Sequence, residues 1–231
     1  AGSPFKPLKS PLPYKAISIS TDQQPLEYAQ YAIQDDIVLP DGFTYDVIAS
    51  WGDPVGDSRF GYNNDYLSFI PTGPDEGYLT VNFEYISSTT WEQTYQEVTG
   101  KSLPFETGAT ALEKLEDKEV DALSLPDGNP LKGQIEQISK EALIDQGLGV
   151  ISVRREANGL WVRAPKETDR RISGIAGLED GNYIKATGPA TSVFVKENVQ
   201  GYSDGLGTNI IGTFGNCAGG TTPWGTALSA E

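Results

Sequence analysis

The sequence predicts an all-β scaffold interrupted by a helical insertion, and its patterning predicts both parts. Short segments alternate apolar and polar residues with period two, and clusters of Gly, Pro and Asp separate them. Residues 86–146 change to helical spacing before the strands resume. Short strands joined by tight turns indicate a sandwich, a barrel or a propeller.

Residues 1–40 form a proline-punctuated, extended N-terminal arm with one helical turn over residues 25–33. Residues 41–231 form the β portion. It opens with a strand in which Phe43, Tyr45 and Val47 alternate with Thr44 and Asp46. A second strand runs from Tyr66 to Ile70, stopped by Pro71-Thr-Gly-Pro74, and a third from Tyr78 to Tyr85. Within the insertion, Thr89 to Val98 and Thr110 to Glu119 have helical character, and Pro126-Asp-Gly-Asn-Pro130 is turn chemistry. Ile135, Ile138 and Ala142 then space an apolar stripe that Gly147 ends. Val150 to Arg155, an Asn158-Gly159 turn and Leu160 to Arg163 make a hairpin.

Composition excludes several functions. A formal charge of −15 argues against nucleic acid, whose phosphates are held by Lys and Arg. No apolar run approaches the length of a transmembrane segment. With no histidine there is no Ser-His-Asp triad and no histidine zinc site in this stretch, and no phosphate-binding P-loop occurs. A single cysteine forms no internal disulfide.

That cysteine lies in Gly215-Asn-Cys-Ala-Gly-Gly-Thr-Thr-Pro-Trp-Gly-Thr226, and the carboxylate of Glu231 follows fourteen residues after Cys217. Free cysteines commonly fill space in a core. Here glycines strip side chains from the surroundings, and Asn216 and Thr221 add neutral oxygens, so a soft thiolate stands among hard donors. Such a mixture suits a transition metal beside a hard cation. Asn82 and Glu84 share one face of the third strand, either as a solvent-facing pair or as groups aimed at the same centre. Asn63-Asn-Asp65 reads as turn chemistry in preference to a cation site. Arg171, beside Arg170, is a candidate for bidentate phosphate recognition or for a surface salt bridge. Gly188-Pro-Ala-Thr191 reads as a tight turn. No catalytic residue is assigned from the sequence.

Trp51-Gly-Asp-Pro54, Phe60-Gly-Tyr-Asn-Asn-Asp65, Val81-Asn-Phe-Glu-Tyr85, Arg170-Arg-Ile172, Gly188-Pro-Ala190 and Asn216 to Thr226 form an ordered set that resembles the PhoX-type alkaline phosphatases. The resemblance implies a six-bladed β-propeller, of which this chain carries only the first blades. It implies a mixed cluster of Fe3+ and Ca2+, with Cys217 as an iron ligand and Glu231, or the residue that would follow it, as a calcium ligand. Asn216 and Glu84 are further candidate ligands. It also implies export to the periplasm or beyond by the twin-arginine route, and hydrolysis of small phosphate esters. The remainder of the same polypeptide, or a second chain, would complete the propeller. Departures from the family pattern are Phe83 where relatives often have His, Gly215 where a second Asn is common, and Ala227 and Ala230 where larger residues are usual. The alternatives are a noncatalytic metal-binding propeller serving as a surface or assembly component, and another hydrolase such as a phosphodiesterase or lactonase.

Overall fold

The computed structural model describes residues 20–29, 36–189, 191–194 and 204–231. The chain divides into two units, Ala1–Asp46 and Val47–Glu231. In the first, helix α1 spans Gln24–Ala29. The Asp36 carboxylate accepts from the Ile37 amide at 2.7 Å and the Tyr45 hydroxyl at 2.9 Å. The helical turn expected over residues 25–33 is thus present as far as Ala29; residues 30–35, and most of the expected extended arm, lie outside the described residues.

The second unit is mostly β-sheet with some helices. Its strands are β1 (Pro54–Val55), β2 (Ser58–Arg59), β3 (Asn64–Gly73), β4 (Glu76–Phe83), β5 (Gly147–Arg155), β6 (Trp161–Arg163), β7 (Arg170–Ile172), β8 (Ile184–Lys185), β9 (Asn209–Ile210), β10 (Gly219–Thr221) and β11 (Ala227–Ser229). Its helices are α2 (Ser88–Thr99), α3 (Phe105–Glu113), α4 (Pro130–Ile144) and α5 (Thr191–Phe194). β3, β4 and β5 pair antiparallel in that order, and β6 and β7 both pair with the far edge of β5. The remaining strands form three separate two-stranded sheets, β1–β2, β8–β9 and β10–β11. Among the described residues these sheets close into no barrel.

The core explains this register. Leu79, Val81 and Phe83 share one face of β4 and meet Ile151 and Val153 of β5, with Val55 and Phe60 closing the cluster. Phe83 is fully buried and meets Phe60 edge-on at 4.8 Å. The strand opposite makes room for it with glycine: a Cβ at Gly149 would lie 2.8 Å from the Phe83 ring.

The helices between β4 and β5 are tied to one another and to β2 by polar contacts. Arg59 Nε reaches Asp145 Oδ1 at 2.6 Å, and Arg59 Nη2 reaches Glu141 Oε2 at 2.9 Å. Trp91 Nε1 donates to Asp145 Oδ2 at 2.8 Å, and the Tyr95 hydroxyl donates to Glu141 Oε2 at 2.6 Å. Buried charges persist only when paired in this way. Asn129 caps α4 by accepting from the Leu131 amide, with Pro130 in the first turn.

Two element expectations need correction. Residues 41–50 form no strand, although Phe43, Tyr45 and Val47 alternate with polar neighbours. Alternation marks a face but supplies no partner strand, and the Tyr45 hydroxyl is satisfied by Asp36. The helix expected over residues 110–119 is displaced to Phe105–Glu113. It starts immediately after Pro104 and is followed by a turn in which Lys118 takes a positive φ of 54°.

Candidate metal centre

Three donors from separated parts of the sequence converge. A carboxylate oxygen of Asp65, a carboxylate oxygen of Glu84 and the sulfur of Cys217 all lie within 4.8 Å of one another. Asp65 and Cys217 are exposed and Glu84 half-buried. The alternative fate of the thiol, filling space in the core, is thereby excluded.

Local backbone irregularity brings the carboxylates together. Asn64 pairs with Phe83, but the next pair is Leu67 with Val81, so Asp65 and Tyr66 lie in a break of the pleat. Such bulges re-aim side chains. Asn63, at a positive φ of 48°, donates its side-chain amide to the Tyr85 carbonyl at 2.9 Å and to Ser87 Oγ at 3.1 Å. The Glu84 amide in turn donates to the Asn63 carbonyl at 3.0 Å. Asp65 and Glu84 therefore emerge side by side where the β3–β4 ladder ends.

The thiol arrives on a hairpin. The Cys217 amide donates to the Ala230 carbonyl and the Ala230 amide to the Ala218 carbonyl, which leads into the β10–β11 pair. The Thr221 hydroxyl sits within bonding distance of the Tyr66 and Ser68 hydroxyls, fastening the hairpin across β3. Gly219 permits this approach, since a Cβ there would lie 2.2 Å from Tyr66 Cδ1.

Asn216 and Glu231 frame the thiol and stand outside the converging trio. Asn216 is buried, and its amide donates to Thr213 Oγ1 at 2.9 Å and Ser229 Oγ at 3.1 Å. The Glu231 carboxylate accepts from the Thr213 hydroxyl at 2.8 Å and the Phe214 amide at 3.0 Å. Arg171 differs from the substrate-facing role expected of its planar fork. It donates to the carbonyls of Leu148, Ile144 and Gln146 and stacks over the Phe83 ring at 4.2 Å. Burial pushes its guanidinium down to about 9. The turn at Gly188 is closed by the Thr191 amide donating to the Gly188 carbonyl, while Ala190 lies outside the described residues.

The electrostatics of the trio fit a cation. The hydrogen bond to Asp65, then burial, then the negative charges of Asp65 and Glu84 push the Cys217 thiol up to about 11. No lysine or arginine pairs with either carboxylate among the described residues. Three groups able to carry negative charge thus converge without a counter-charge, and one of them is a sulfur that a bound metal would deprotonate.

The family model described as "Alkaline phosphatase PhoX" matches residues 14–231. The chain belongs to the PhoX family. A solved structure, Pseudomonas fluorescens PhoX in complex with vanadate, a transition state analogue, is similar to it at 26% identity and a TM-score of 0.54. The match covers 87% of this chain and 30% of that one, so the chain spans about a third of the length of that PhoX relative. No curated protein matches the chain. Among the described residues no helix is long and apolar enough to cross a membrane.

Of the residues singled out from the sequence, the structure brings Cys217 and Glu84 together, and it adds Asp65, which the sequence assigned to a turn. The available signal was the Asn63-Asn-Asp65 run, which composition alone assigns to a turn, directly before the strand that the sequence places from Tyr66.

Proposed function

We propose that the chain contributes one side of a metal centre that hydrolyses phosphate monoesters, with Cys217, Glu84 and Asp65 as ligands. The observation that carries this reading is the convergence of a thiol and two carboxylates within 4.8 Å. Membership of the PhoX family and the likeness to a vanadate-bound PhoX support a phosphoryl substrate. A soft sulfur beside hard oxygens suits a transition metal at Cys217 and a hard cation toward the carboxylates. The resemblance to the family implies that these are Fe3+ and Ca2+, with Glu231 a further hard donor on the returning limb of the hairpin.

Metal ions in such a site neutralise phosphoryl oxygens and supply an activated oxygen nucleophile. The chain's own residues hold the site in shape. The β3 break and the β4 end set the two carboxylates, and the hairpin sets the sulfur. Asn216 ties the two limbs of that hairpin together.

The reading extends to architecture. The five-stranded sheet serves as one blade of a propeller, and the three helices between β4 and β5 decorate it. An open cleft of about 660 Å³ lies between that sheet and the β10–β11 hairpin, walled by Tyr66, Tyr78, Leu148, Val150, Ile172 and Leu228. Its lining does not include the metal donors, and it suits packing of a further sheet from the same polypeptide or a second chain. Export to the periplasm or beyond accompanies this reading.

Elemental analysis of the chain after exposure to Fe3+ and Ca2+, with an aryl-phosphate assay of the chain joined to the rest of the propeller, tests the function. Bound metal lost in Cys217→Ser, and turnover abolished by chelation, are the expected results. Turnover that persists without metal refutes the reading. Metal without turnover supports the noncatalytic alternative.

A further inference from the structure

We infer that Asn82 is the positioning residue that holds the Cys217 thiol in reach of Asp65 and Glu84. The inference rests on the metal-centre reading and adds a residue to it.

Asn82 lies between Val81 and Phe83, both of which enter the core, so the pleat sends its side chain to the opposite face of β4. There it is 3% exposed, a poor place for an amide unless its protons are used. They are used on the cysteine segment: Asn82 Nδ2 donates to the Cys217 carbonyl at 2.9 Å and the Ala218 carbonyl at 3.2 Å.

The consequence is geometric. Glu84 follows Asn82 by two residues, so the strand that delivers a carboxylate also grips the main chain that carries the thiol. Apart from the thiol's own bond to Asp65, which a bound metal would replace, the other bonds of Cys217 and Ala218 run within the hairpin, from Cys217 to Ala230 and from Ala230 to Ala218. They fix the hairpin's shape and leave its height above β4 unspecified. The Thr221 contacts to Tyr66 and Ser68 act at the other end of β10. With glycine at 215, 219 and 220 the segment has little stiffness of its own, and a ligand set loosened by about 1 Å loses much of its affinity.

The test uses the full chain, with Co2+ as the metal probe because thiolate–cobalt charge transfer reports the sulfur directly. The wild-type chain should show the charge-transfer band, and Cys217→Ser should lack it. Asn82→Ala should keep the wild-type far-UV spectrum, lose most of the band and bind Co2+ on the order of tenfold more weakly. In the metal-free chain it should also speed amide hydrogen exchange across residues 216–219 while β4–β5 stays protected. If Asn82→Ala does not fold, Asn82→Ser serves, because its short hydroxyl cannot span both carbonyls. An unchanged band and affinity in the Asn82 variant overturn the positioning role, and unchanged exchange overturns the clamp. A wild-type chain with no band overturns the metal reading itself, a different result from a band that survives loss of the amide.

Discussion

The side-chain amide of Asn63 donates to the main-chain carbonyl of Tyr85 at 2.9 Å, closing the mouth of the β3–β4 hairpin where Asp65 and Glu84 emerge. Asn63 also holds a positive φ, which glycine adopts freely and alanine does not. Asn63→Gly should therefore cost about 1 kcal/mol for the lost bonds, and Asn63→Ala about 1 kcal/mol more for the backbone. Urea denaturation of both variants measures the difference. Equal stability of the two would remove the backbone argument.

The thiol should be slow to alkylate in the metal-free chain. With its ionisation raised to about 11 by Asp65 first and Glu84 among the lesser causes, Cys217 stays protonated well into alkaline pH. Iodoacetamide labelling should rise about tenfold per pH unit and reach half its limiting rate only near pH 11. Asp65→Asn removes a negative charge and leaves only a neutral oxygen to accept from the thiol, so the thiolate becomes easier to form and the labelling midpoint moves down. A midpoint that moves up contradicts the geometry.

Acid should weaken the attachment of the helices. Burial works to raise the Glu141 carboxyl, but the bonds from Tyr95 and Arg59 outweigh it and hold the group below its ordinary value of 4.5. The stabilisation is then complete above the unfolded value and fades as pH falls through the folded one. Wild-type stability should decline below about pH 4.5, and Glu141→Gln should be less stable at pH 7 with a flatter profile. Urea midpoints between pH 3 and 7 give the comparison.

Gly219→Ala should unseat the hairpin, because the new methyl would lie 2.2 Å from Tyr66 Cδ1. Overpacking of this kind costs about 1–3 kcal/mol. Adding Tyr66→Ala should recover part of that loss in a double-mutant cycle. Strictly additive losses would show that the ring and the glycine do not meet.

Periodicity carried much of the fold. β3, β4, β5, α2 and α4 follow alternation or helical spacing in the sequence, and Gly147 does mark the change from α4 to β5. What failed was partnership: the Phe43–Val47 alternation forms no strand among the described residues, and no local pattern says so. At the site, Cys217 stood out through its glycine-rich neighbours. Asp65 did not, because its direction depends on a register break against β4, a property of two strands together. Asn82 was visible as a residue but not as a donor to main chain 135 positions away. Arg171 looked like a phosphate fork because the carbonyls that claim it come from the end of α4 and the start of β5.

The stack of Arg171 on Phe83 has an evolutionary corollary. Installing an imidazole at position 83 would exchange a flat hydrocarbon lid for a ring that becomes cationic at mildly acidic pH, face to face with a guanidinium already taken out of water. Neighbouring substitutions would have to accompany such a swap, so positions 83 and 171 should drift as a pair within this lineage.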